Sequence, residues 1–130
     1  MTEREETAAE ASAVVLVVED EPIVRMVAVD SLEDDGLAVL EAGNADRALA
    51  LLRARADVAV LLTDVDMPGS MDGLALARLV AAERPGVAVL VVSGKAWPRP
   101  GEMPMGARFL PKPYAIRTML DHVRTALGAA

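Results

Sequence analysis

Residues 58–73 read VAVLLTDVDMPGSMDG. From Val58 to Thr63 the run is apolar and rich in β-branched residues, without polar alternation. That is the pattern of a strand covered on both faces, as in a parallel sheet. The run ends on Asp64, a second acid follows at Asp66, and Pro68, Gly69 and Gly73 then break the chain. A buried strand that emerges onto two carboxylates directs attention to that edge of the sheet.

The same pattern recurs outward from this stretch. AVVLVV (13–18) and VAVLVV (87–92) are equally uninterrupted, and LAVLEA (37–42) and ARFLP (107–111) are weaker strand candidates. Helical spacing lies between them. Ala45, Ala48, Leu49 and Leu52 recur at i, i+3, i+4 and i+7 behind Asn44, a suitable N-cap. Leu76, Leu79 and Val80 mark another helix, stopped by Arg84-Pro85-Gly86. Ile116, Met119, Leu120, Val123 and Leu127 form a long stripe closed by Gly128. Residues 22–35 are helical with a less clean stripe. Strand and helix alternate five times, which predicts an α/β sandwich on a parallel sheet with right-handed crossovers. The fourth crossover, residues 95–106, is the exception. It contains Pro98, Pro100 and Pro104, and a proline inside a helix costs about 3 kcal/mol, so only a short or distorted helix is expected there.

Composition bounds the function. At 130 residues the chain fits one domain, and 53% hydrophobic residues supply a sizeable core. The net charge of −7 argues against a nucleic-acid partner. With no cysteine, disulfides, thiolate metal sites and cysteine nucleophiles are excluded. No apolar run approaches membrane-spanning length, and the acidic start MTEREETAAEAS is unlike a signal peptide. The expectation is a cytoplasmic protein with a flexible acidic tail over 1–12 and a folded domain over 13–128.

In open parallel sheets, ligands sit at the carboxyl ends of the strands. Those ends carry Glu19, Asp20 and Glu21 after the first strand, Asp64 after the third, Ser93 and Gly94 after the fourth, and Lys112 after the fifth. Two carboxylates about 5 Å apart repel by about 3 kcal/mol at an effective dielectric near 20. Glu19, Asp20 and Asp64 together therefore call for compensation, which Lys112 and a divalent cation would supply. Oxygen donors without Cys or a nearby His favour a hard ion such as Mg²⁺. An aspartate in such a setting can attack phosphorus, and metal, ammonium and hydroxyl groups are what phosphoryl transfer needs around it.

These residues carry a resemblance. VLVVEDEP, LLTDVDMPG…MDG, VVSG and FLPKPY, in that order and over about residues 14 to 128, resemble the receiver domain of bacterial two-component response regulators, here of the single-domain kind. The resemblance implies a flavodoxin-like (βα)5 three-layer sandwich with strand order 2-1-3-4-5. It implies Asp64 as phosphoacceptor in a histidine-aspartate phosphorelay. Glu19 and Asp20 would be the acidic pair at Mg²⁺, with Asp20 ligating directly and Glu19 through water, and Asp66 would lend its backbone carbonyl. Ser93 takes the switch hydroxyl position, Lys112 that of the phosphate-binding lysine, and Phe109 the aromatic switch position. A cis Lys112–Pro113 bond is implied as well. So are a sensor histidine kinase or phosphotransfer protein as donor and a downstream protein met by the 95–128 face. The chain would catalyse its own phosphorylation and dephosphorylation without turning over a separate substrate. It departs from the family pattern in a loop one residue longer after Asp64, in Phe109 where a tyrosine would bring a hydroxyl, and in the prolines of 95–106.

Plainer readings compete. Acids after a strand are often only a solvated loop, Ser93-Gly94 alone is a turn, and Lys112 alone is a surface lysine. His122 is expected on a solvated helix face and Trp97 as a packing anchor or a contact residue. The seven Met residues are expected to fill core gaps. Two other functions stay open: a receiver-fold interaction module without phosphorylation, and a phosphatase using Asp64-Val65-Asp66 as a DxD nucleophile. The latter motif belongs on a first strand, and here it follows the third.

Overall fold

The computed structural model describes residues 13–95 and 97–128; the tail expected over 1–12 lies outside the described residues. The chain runs β1 (Val14–Val18), α1 (Pro22–Asp34), β2 (Ala38–Ala42), α2 (Ala45–Ala54), β3 (Val58–Asp64), α3 (Gly73–Glu83), β4 (Ala88–Ser93), β5 (Arg108–Pro111) and α4 (Ile116–Ala126). All paired strands are parallel, in the order β2-β1-β3-β4-β5. The flavodoxin-like order that the resemblance implies is the order found.

Side-chain alternation along the strands sorts the core onto two faces. Leu16, Val18, Leu61, Val89 and Val91 pack against α2 and α3 through Ala48, Leu49, Leu52, Leu76 and Val80. Val15, Val17, Val60, Leu62, Leu90 and Val92 pack on the other face against α1 and α4 through Val29, Leu32, Met119 and Val123. The helices start where the sequence places caps. Asn44 Oδ1 accepts from Arg47 N at 2.8 Å and Asp72 Oδ1 from Ala75 N at 2.9 Å, while Pro22 opens α1 and Gly128 closes α4 with φ +80°.

Three local features stand out. Ile23, Met26 and Val27 on α1 are exposed, which accounts for the unclean stripe of that helix. Between β4 and β5 no helix forms among the described residues. Two tight turns stand there instead: Glu102 N donates to Arg99 O (3.0 Å) and Ala107 N to Pro104 O (3.1 Å). In each the third residue is a glycine of positive φ, Gly101 at +88° and Gly106 at +86°, a backbone that Pro100-Gly101 suits and a helix forbids. Even the short helix expected here is thus replaced by turns. His122, expected on a solvated face, is half-buried with Nδ1 enclosed and unpartnered among the described residues. It follows Met119 by three positions and adjoins Val123, both in the core, so its turn of α4 is drawn inward.

Strand register sets the functional edge. Val18 lies level with Ala42 and Thr63, Asp64 with Val92, and Ser93 with Pro111. The residues just beyond these strand ends therefore emerge side by side. No helix among the described residues is long and apolar enough to cross a membrane.

Candidate functional site

Glu19 leaves β1 with every polar group engaged. Its amide donates to Ala42 O (3.1 Å), and its carbonyl accepts from Arg25 Nη1 (2.8 Å). Its carboxylate takes Lys112 Nζ on Oε1 (2.6 Å) and Glu21 N on Oε2 (3.2 Å). Lys112 also reaches Asp64 Oδ2 at 3.2 Å, so one ammonium bridges acids from two strand ends. Glu19 and Asp64 are buried, Asp20 is half-buried, and the three carboxylates offer oxygens within 4.8 Å of one another. Burial pulls the Lys112 pKa down, but the Glu19 hydrogen bond and the charges of Asp64 and Glu19 outweigh it and hold the ammonium above the ordinary lysine value. Burial also lifts the Tyr114 phenol, leaving a neutral wall beside the pocket.

The donor set is all oxygen, and three acids face one ammonium. That balance fits a hard divalent cation, which would offset the charge Lys112 leaves over.

Asp66 stands apart from this group. Its amide points toward Asp64 Oδ1 (3.4 Å), while its exposed carboxylate receives the Ser93 hydroxyl at 3.4 Å. Ser93 is buried, and its Oγ also accepts from Lys95 N at 3.2 Å. Lys112 N donates to Ser93 O at 2.9 Å, which ties the ends of β4 and β5 together. The Lys112–Pro113 bond is cis, as expected. Phe109 is half-buried and packs on Trp97, with ring centroids 4.7 Å apart and planes tilted by 51°. Trp97 is both an anchor and a surface residue, being 71% exposed.

The longer loop after Asp64 folds back through Val65 N to Val92 O and Gly73 N to Val65 O, both 2.9 Å. Ser70 Oγ donates to Asp46 Oδ1 at 2.8 Å, fastening the loop to the start of α2. Gly73 sits against Asp64, where a Cβ would lie 1.7 Å from Asp64 O. Sequence reasoning treated Gly73 as punctuation and passed over Arg25. The approach of Gly73 to a strand nine residues earlier is invisible in one dimension. Arg25, one turn after Glu21 on a helix, is a cation within reach of the acidic loop, and that was its signal.

The sequence profile described as "Response regulator receiver domain" matches residues 15–124. The chain is 36% identical over 122 residues to the sensor kinase CckA of Brucella abortus, covering 89% of this chain but only 13% of that kinase. It is 30% identical over 119 residues to the response regulator receiver protein CpdR of the same organism, covering 89% of this chain and 98% of CpdR. The crystal structure of the receiver domain from hybrid histidine kinase CckA superposes with a TM-score of 0.75 at 34% identity, over 88% of this chain and 98% of that one. With this fold, these strand-end residues and these relatives, the chain belongs to the response regulator receiver domain family of two-component systems.

Proposed function

We propose that the chain is a phosphoacceptor signalling switch in a histidine-aspartate phosphorelay, with Asp64 as acceptor. The observation that carries the reading is the Lys112 ammonium held between the buried carboxylates of Glu19 and Asp64. An Asp64 oxygen forms the new bond to phosphorus as the phosphorus–nitrogen bond of a donor phosphohistidine breaks. The imidazole leaves with the electron pair and takes up a proton. Lys112 donates to a phosphoryl oxygen, and Ser93 can do so once its hydroxyl turns from Asp66. Asp20, Asp64 and the Asp66 carbonyl, with Glu19 through water, would hold Mg²⁺, which would supply the positive charge that lets the pocket tolerate a phosphoryl group. The chain turns over no separate substrate.

The Trp97–Phe109 contact makes the switch readable. If Ser93 moves toward the phosphoryl group, Gly94 and Lys95 move with it and Phe109 repacks. The two turns of 97–107 hold few hydrogen bonds of their own, so the rearrangement is cheap. Adding beryllofluoride with Mg²⁺ is expected to change the Trp97 fluorescence, and beryllofluoride without Mg²⁺ to leave it unchanged. A signal unmoved by both together would contradict the switch.

The donor is a histidine kinase or phosphotransfer protein. A groove of about 520 Å³ lined by Ile23, Val24, Val27, Pro113, Tyr114 and Ile116 also touches Lys112 and Gly94 at the pocket mouth. A donor histidine must approach Asp64 within bonding distance, so the surface carrying it has to cover this rim. Ile23 is 71% exposed and contributes little to the core, so Ile23→Arg should fold normally. Its labelling by a phosphotransfer protein that phosphorylates the parent chain should fall about tenfold, the equivalent of about 1.4 kcal/mol of docking energy. Labelling by acetyl phosphate should not change. Equal rates from the protein donor would remove the groove from the docking surface.

A further inference from the structure

We infer that Arg25 is a positioning residue for the metal-binding loop, a role that rests on the Mg²⁺ site proposed above. Beyond Val18 the pairing of β1 with β2 ends, and the Glu19 carbonyl has no strand partner left. Arg25 Nη1 takes that carbonyl at 2.8 Å, while Arg25 Nε donates to Glu41 Oε1 at 3.0 Å. The guanidinium is therefore itself fixed, clamped between the end of β2 and the loop that follows β1. Gly43 preserves the space it occupies, because a Cβ there would stand 3.2 Å from Arg25 Nη1.

The Glu19 carbonyl and the Asp20 amide belong to one rigid peptide plane, so holding that oxygen sets the direction in which Asp20 departs. Glu19 is locked by four hydrogen bonds, whereas no bond of comparable length fixes the Asp20 side chain among the described residues. The Arg25 contact is thus what orients the remaining carboxylate toward Glu19 and Asp64. An arginine suits the task because its planar fork donates in two directions at once; a lysine ammonium holds one partner well and loses the geometry.

Electrostatics alone predicts the opposite of positioning, and the sign decides between them. Removing a cation beside an acidic pocket should tighten Mg²⁺ binding, whereas releasing the Glu19 carbonyl should weaken it. Mg²⁺ titration by calorimetry on the full chain is the test. Arg25→Ala and Arg25→Lys are each expected to weaken Mg²⁺ about tenfold, the scale seen when groups supporting metal ligands are lost. Arg25→Lys keeps the charge and the stem, and it carries the test if the alanine variant does not fold. Unchanged or tighter binding in folded Arg25→Lys overturns the inference. Failure of the parent chain to bind Mg²⁺ would overturn the metal site itself, a separate result.

Discussion

Gly73→Ala should destabilise the chain by about 3 kcal/mol, at the upper end of what overpacking costs. The added Cβ would lie 1.7 Å from Asp64 O, 2.6 Å from Asp64 C and 2.8 Å from Val65 Cα. These are backbone atoms, so no rotamer change relieves the contact. Either the start of α3 lifts away, breaking the Gly73 N to Val65 O bond, or β3 shifts and carries Asp64 with it. Gly86→Ala is the control, since nothing lies within 4 Å of its Cβ. It should change stability by less than about 0.5 kcal/mol. Urea denaturation of both variants checks this, and coincident midpoints would show that α3 yields freely.

The second large effect is expected from Asp64→Asn, which should abolish phosphoryl acceptance rather than slow it. Asparagine keeps the shape but loses the anionic oxygen that would attack phosphorus. The neighbouring acids are poor substitutes for reasons the geometry supplies. Both carboxylate oxygens of Glu19 already accept, from Lys112 and from Glu21 N. The Asp66 carboxylate receives the Ser93 hydroxyl and lies outside the Glu19, Asp20 and Asp64 group. Losing the Asp64 charge also relaxes the repulsion among the acids, so this variant should be at least as stable as the parent. An unchanged urea midpoint in this variant would exclude unfolding as the cause of lost labelling.

The fold was legible because its strands are uninterrupted β-branched runs and its sheet is parallel, so both faces demand apolar residues. β3 is the clearest case, with Val58 and Val60 to Leu62 all buried. The α1 pattern was blurred because Ile23, Met26 and Val27 stay exposed instead of packing into the core. Prolines marked the 95–106 segment as a poor helix, but its resolution into two glycine-containing turns depends on positive φ values that composition only hints at. The strand-end residues could be gathered from the sequence because parallel topology places all carboxyl ends on one edge. Contacts between distant positions could not. Arg25 meets Glu41 across sixteen residues, and Arg78 Nη1 holds Glu102 O across twenty-four. The Ser93–Asp66 contact was hidden because the resemblance assigned Asp66 only its backbone carbonyl, while its side chain receives the Ser93 hydroxyl.

The most direct test of the central claim is intact-mass spectrometry of the full chain after treatment with acetyl phosphate. With Mg²⁺ present, one phosphoryl group should be added and should map to Asp64. The addition should vanish in EDTA, and it should vanish in Asp64→Asn. A phosphoryl group that persists under both conditions, or maps to another residue, would contradict the assignment of Asp64 as a Mg²⁺-dependent phosphoacceptor.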